Sequence, residues 1–303
     1  MRTCALAVVA AVASPGAAVK WFEGKRKILP FSLAPGVSLT VVSREGQKIA
    51  ASGDATEHSL LEIGSLSKTM IALGLATLVD QGDLAWDAKV HTFFDASFSF
   101  GSDDWVTQHL TIRDLLTHRS GLAEGQGDLI GGLYPSEQLP QLLGGVTPGN
   151  EFREVFDYSN VGWALAGEVL RVASNSSSWC EALHSRVWGP LNMTETFCDR
   201  NDVSAEKEAL VANVSKVSPC DGHAAAAPFF RRNTTAAAPH LRTYTFVRTG
   251  ARGSFAWGAA DAAGSVLSTP ADMGKVMALL LGKLGGRVVQ LDTLEEMQRG
   301  QMA

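Results

Sequence analysis

The chain has 303 residues, 46% of them hydrophobic and 19% charged, with a formal net charge of -5. It is too apolar for disorder and long enough for one large domain or two modest ones with a sizeable core. The mild acidity leaves no basic stripe to neutralise phosphates, so no nucleic-acid partner is expected, and no apolar run reaches the roughly 18–20 residues of a membrane span.

Positions 1–18 read as a secretory signal peptide. Arg2 supplies the positive start, Ala5 to Ala13 the short apolar run, and Gly16-Ala17-Ala18 the small residues for cleavage. Four of the seven asparagines stand in Asn-x-Ser/Thr sequons: Asn175, Asn192, Asn213 and Asn233. A secreted or extracellular glycoprotein is therefore expected. Cleavage would remove Cys4 and leave Cys180, Cys198 and Cys220, enough for one disulfide whose pair the sequence leaves open. No spacing fits a metal site, and no cofactor is expected.

After an N-terminal extension at 19–34, apolar runs at 37–42 and 48–51 predict a β-hairpin with Gly46 in its turn. A helix is predicted from Ser65 to Gln81, ended by Gly82. A shorter helix follows over 110–117, with Thr111 as its N-cap and a stop at His118-Arg119-Ser120-Gly121. The glycine- and proline-rich stretch 121–149 reads as surface. Positions 161–172 form another apolar helix, with Gly162 and Gly167 marking close packing. The pattern dissolves over 200–260, an irregular insertion. Thr269 as N-cap, Pro270 at the first helical position and Asp272 at the third then open a helix through 273–281. Strands followed by many helices, without internal repeats, point to an α+β fold.

Ser65 stands three residues before Lys68 at a helix start, so both side chains share one face about one turn apart. A serine hydroxyl needs a base to become a nucleophile, and a lysine partly withdrawn from water can act as one. Downstream, Tyr158-Ser159-Asn160 offers a phenol and an amide just before a helix, suited to proton transfer and to substrate hydrogen bonding. Metal-dependent hydrolysis is disfavoured because His-x-His and His-Glu-x-x-His are absent. A nucleotide site at Gly125-x-Gly127 has no strand before it, and a short-chain dehydrogenase would need a lysine where Gly162 stands.

Ile63-Gly64-Ser65-Leu66-Ser67-Lys68-Thr69, then Leu115-Leu116-Thr117-His118-Arg119-Ser120-Gly121-Leu122, then Tyr158-Ser159-Asn160, resemble the serine β-lactamase-like family of class C β-lactamases, penicillin-binding proteins and related esterases. The similarity runs from near Pro35 to about Met297, apart from the 200–260 stretch. Ala263 to Pro270 resembles a glycine-rich turn of that family. The resemblance implies a β-lactamase/transpeptidase-like domain over 35–303 and a serine acyl hydrolase acting on a small-molecule or peptide substrate. Ser65 would be the acylated nucleophile, Lys68 its proton acceptor or relay, and Tyr158 the group passing a proton to the leaving group. Asn160 would hydrogen-bond substrate or Lys68, while His118 would be structural, closing a helix. A non-catalytic binding relative is the alternative. The family's Lys/His-x-Gly strand has no counterpart after Tyr158: Lys283-Leu284-Gly285 has the letters but sits at a helix end. A chain lacking the family's C-terminal strands is expected.

Overall fold

The computed structural model describes residues 36–43, 46–53, 56–126, 134–198, 203 and 258–299. The expected signal peptide and extension, nearly all of the 200–260 insertion, and Asn213, Cys220 and Asn233 lie outside the described residues. The chain divides into two compact units, 1–60 with 203–256 and 61–202 with 257–303.

In the first unit, β1 (Gly36–Ser43) and β2 (Gly46–Gly53) form an antiparallel hairpin running from Gly36 opposite Gly53 to Ser43 opposite Gly46. The sequence pattern places Gly46 in the turn, whereas it opens β2, paired with Ser43, at a φ of 129°.

The second unit starts at β3 (Leu61–Glu62), continues through a 3-10 turn, Gly64–Leu66, and enters α1 (Ser67–Gln81). Met70, Ile71, Leu73, Leu75, Ala76 and Leu78 are all fully buried, so α1 is a core helix with no continuous polar face. Gly82 ends it in the left-handed conformation (φ 79°), its N–H turned back on the carbonyls of Leu78 and Val79. Next come α2 (Asp104–His109), capped by Asp103, and α3 (Ile112–Leu116), capped by Thr111. The 121–149 stretch departs from its surface reading: short helical turns there drive Leu139 and Leu143 into the core, fully buried. Their apolar side chains outweigh the loop-like composition around them.

The helix predicted over 161–172 is α4 (Asn160–Ala173), with Ser159 as N-cap, and is followed by α5 (Trp179–Leu183) and a π-helical turn, His184–Trp188. β4 (Thr196–Phe197), β5 (Leu267–Ser268), α6 (Pro270–Leu280) and α7 (Leu291–Gln298) complete the unit. β5 lies between β3 and β4, antiparallel to both. Thr269 caps α6 as expected, its hydroxyl accepting from the Asp272 N–H. The Asp272 carboxylate accepts from Glu195 N, Thr196 Oγ1 and Lys275 Nζ, tying α6 to β4.

Two features position the site. The first is Asp114, fully buried in α3, whose carboxylate accepts from Thr111 N and Oγ1, Arg119 Nε, and Arg153 Nε and Nη2 at 2.6–3.0 Å. Burial by itself would raise its pKa. The hydrogen bonds from Arg153 and Thr111 together outweigh burial and hold the carboxyl below its ordinary value. Arg119 and Arg153 thereby draw 118–121 and 150–157 together, where Asn150, Arg153 and Asp157 donate their N–H groups to Gly121, Arg119 and His118.

The second feature is close helix packing. A Cβ on Gly74 of α1 would lie 2.7 Å from Leu170 Cδ2, and one on Gly167 of α4 would lie 2.6 Å from Ala262 Cβ. Gly162 meets nothing closer than 3.5 Å, so of the two glycines in α4 only Gly167 is required by packing. Gly167→Ala should destabilise the protein by about 1–3 kcal/mol through overpacking, whereas Gly162→Ala should not. Paired thermal melts of the two variants check this.

Candidate active site

The turn before α1 sets Ser65. Ile63 N–H donates to Val266 O and Leu66 N–H to Ile63 O, while Gly64 adopts φ 53°. Ser67, fully buried, donates its hydroxyl to Gly64 O (2.7 Å) and accepts from Val266 N (3.2 Å), stitching the turn to the segment entering β5. Ser65 is left exposed and Lys68, one helical turn on, is 6% exposed.

Lys68 Nζ donates hydrogen bonds to Asn160 Oδ1 (2.9 Å), to the Ala263 carbonyl (2.9 Å) and to Ser65 Oγ (3.2 Å). An ammonium has a proton for each. A neutral amine has two, and Asn160 Oδ1 and the Ala263 carbonyl can only accept, so they take both. The nitrogen lone pair is then directed at the serine hydroxyl. The sequence assigned Asn160 to substrate or to Lys68; here it holds Lys68.

Tyr158 closes the set. Its hydroxyl is hydrogen-bonded to Ser65 Oγ, and its ring centroid lies 4.7 Å from Lys68 Nζ. Ser65, Lys68, Tyr158 and Asn160 thus meet at one place, drawn from the start of α1 and the start of α4.

His118 also belongs to this assembly, as the helix-closing reading did not anticipate. Its ring stacks on Tyr158 with centroids 4.6 Å apart and planes at 23°. Nδ1 accepts from Ser159 N–H and Nε2 faces the Trp163 Nε1–H, each at 2.9 Å. Burial, then the charge of Lys68, push its pKa down to about 4, with Asp157 opposing. An imidazolium would set N–H against N–H at both nitrogens and the neutral ring at only one, so the neutral form is favoured behind Tyr158. The remaining unpredicted member is the Ala263 carbonyl, a backbone group with no side-chain letter to reveal it.

Lys283 has a different role: its backbone N–H donates to Ala278 O just past the end of α6. Among the described residues one donor cluster is close enough for a metal, Cys180, His184 and Cys198, with donor atoms within 4.8 Å. Its two sulfurs are joined, which settles the disulfide pairing as Cys180–Cys198, Cα atoms 5.7 Å apart.

The Beta-lactamase family model matches residues 26–303. The chain belongs to the Beta-lactamase family. Its α+β architecture is the β-lactamase/transpeptidase fold. A class C β-lactamase from Rhodobacter sphaeroides superposes with a TM-score of 0.61 at 20% identity, covering 94% of this chain and 70% of that one. The D-amino acid amidase from Ochrobactrum anthropi SV3 gives 0.59 at 22% identity, covering 86% and 69%. In sequence, penicillin-binding protein 4* of Bacillus subtilis is 29% identical over 161 residues, 50% of this chain and 33% of its own. The chain spans about a third of the length of the curated relatives it matches.

The His118 geometry has a pH signature. A folded-state pKa lowered from 6.5 to about 4 supports stability above pH 6.5, and that contribution is lost as pH falls through 4. The melting-temperature margin of the wild type over His118→Asn should therefore be largest above pH 6.5 and shrink towards pH 4. Paired melts across this range test it.

Proposed function

We propose that this member of the Beta-lactamase family is a serine acyl hydrolase that cleaves amide, β-lactam or ester bonds in a small-molecule or peptide substrate through an acyl-enzyme on Ser65. The observation that carries this reading is Lys68 Nζ, held by two fixed acceptors and within hydrogen-bonding reach of Ser65 Oγ. In the neutral form Lys68 takes the hydroxyl proton as Ser65 Oγ bonds to the substrate carbonyl carbon. Collapse of the tetrahedral species breaks the bond to nitrogen or oxygen, and Tyr158, already bonded to Ser65 Oγ, passes a proton to the departing group. Water then attacks the ester on Ser65, and the same groups return the proton. The position of Ser65 at the entry of α1 adds the favourable field of a helix N-terminus to the developing negative charge. Relatives named as a penicillin-binding protein and, by fold, a β-lactamase and an amidase support this bond class.

A fluorophosphonate or β-lactam probe should label the wild type on the peptide containing Ser65. Ser65→Ala should abolish labelling, and Lys68→Ala should slow it by on the order of 10²–10⁴. The two losses should be far from additive, because the residues act as a unit. Labelling of Ser65→Ala at the wild-type rate would overturn the assignment, and an unlabelled wild type would favour a binding relative.

We also propose passage through the secretory pathway. The Cys180–Cys198 disulfide supports it, since such bonds persist in oxidising compartments. So do the sequon asparagines Asn175 and Asn192, both exposed and both with left-handed backbone (φ 52° and 53°). Expression in a glycosylating host, then enzymatic glycan release in heavy-oxygen water, should place the label on Asn175 and Asn192. An unlabelled chain would count against secretion.

A further inference from the structure

The Ala263 carbonyl is a backbone group on a short turn, yet it accepts a hydrogen bond from Lys68 Nζ. A carbonyl can orient an amine only if its own turn is fixed, and the means of fixing this turn is unusual. Asp261 stands two residues before Ala263. Its backbone carbonyl accepts from both Gly264 N–H and Ser265 N–H, each at 2.9 Å, closing the turn around Ala263. Its carboxylate accepts from the Ala262 N–H (2.6 Å). On the far side of the turn, Ser265 Oγ donates to the backbone carbonyl of Cys198 at 2.5 Å. Cys198 and Cys180 are joined by the disulfide.

These links form a chain. It runs from Cys180 across the disulfide to Cys198, through the Ser265 side chain to the Ser265 N–H, and on to the Asp261 carbonyl that closes the turn around Ala263. The hydrogen bonds given above for Ser65 and Lys68 involve none of these side chains, so the links act through the position of the turn. Packing presses on the same place, since Ala262 lies where a Cβ on Gly167 would collide. Ser265, Asp261's N–H partners and Cys198 are buried, so water does not compete freely for these bonds. The Asp261 carboxyl is itself largely buried. Burial pushes its pKa up to about 7, opposed by nearby Trp179 and the Ala262 N–H, while Glu168 and Glu137 add to the rise.

We propose that Asp261, Ser265 and the Cys180–Cys198 disulfide are positioning residues for Lys68, bracing the 261–265 turn so that the Ala263 carbonyl stays aimed at the lysine nitrogen. The proposal rests on the reading of Ser65 and Lys68 as an acyl-transfer pair. It assigns a role to a disulfide that otherwise reads as a staple of two chain segments.

The test uses the whole chain, made under oxidising conditions, and a fluorophosphonate as probe. Its phosphorus bonds to Ser65 Oγ as the P–F bond breaks, fluoride leaves, and the hydroxyl proton passes to Lys68. Saturation kinetics separate the maximal labelling rate from the probe's half-saturation concentration. Ser265→Ala should lower the maximal rate by roughly tenfold through misplacement of the base, with half-saturation unchanged. Ser265→Thr, which keeps the hydroxyl, should restore most of it. Reducing the wild type with a dithiol, which turns the disulfide into two thiols and the reagent into its cyclic disulfide, should give the same loss, reversed on reoxidation. Melting curves establish that each form is folded.

A second readout does not depend on catalysis. Amide exchange at Gly264 and Ser265, whose N–H groups both bind the Asp261 carbonyl, should speed up in Ser265→Ala and on reduction. Labelling and exchange both at wild-type values in these forms would overturn the brace while leaving the acyl-transfer reading intact. An unlabelled wild type would instead defeat the acyl-transfer reading, and the exchange measurement would still decide whether the brace exists.

Discussion

The arrangement turns on one nitrogen. Lys68 Nζ must find two acceptors that never give up their role if its remaining position is to face Ser65, and these come from distant parts of the unit: Asn160 at the start of α4, and Ala263 just before β5. Each neighbouring device serves that geometry. Ser67 binds the turn at Gly64 to Val266, keeping Ser65 and the 263–266 segment in one register. β3 and β5 pair immediately beside it. Burial of the lysine stem among apolar neighbours makes those hydrogen bonds stronger than they would be in water, and makes their loss more damaging.

Tyr158 is placed by a different route. Its loop is held by Asp114, whose buried carboxylate gathers Arg119 and Arg153 and so joins the chain after α3 to the chain before α4. His118 lies in that joint. It adopts a left-handed backbone (φ 57°), receives the Asp157 N–H on its carbonyl, and presents its ring flat behind the tyrosine. The capping box on α3 thus contributes beyond its own helix: the same carboxylate that caps α3 anchors the loop bearing the phenol. Leu66, next to Ser65 in the chain, and Phe156, two residues before Tyr158, remain 41% and 61% exposed.

Much of this could be read from residue order, for a reason that is local in each case. Helix starts at Thr111, Ser159 and Thr269 depend on a hydroxyl meeting an N–H three residues on, and Gly82 on its own φ. Ser65 and Lys68 share a face because one helical turn separates them. These interactions span a handful of residues, so the letters carry them, and the family motifs placed Tyr158 and Asn160 in the same site. The stretch around Leu139 and Leu143 failed the same reading because glycines and prolines dominate its composition, whereas two fully buried leucines decide its packing.

The sequence by itself determined the α+β class, the caps at Thr111 and Thr269, and the placing of Ser65 and Lys68 on one face, while the family resemblance added Tyr158 and Asn160. Tertiary structure alone decided that Cys180 pairs with Cys198, that His118 lies between Tyr158 and Trp163, and that a partner of Lys68 is the Ala263 carbonyl. Such choices depend on which distant segments are brought within about 3 Å of one another. Every residue carries the same carbonyl, every cysteine the same sulfur, and only the packing of α1 against α4 and the 258–266 segment selects among them.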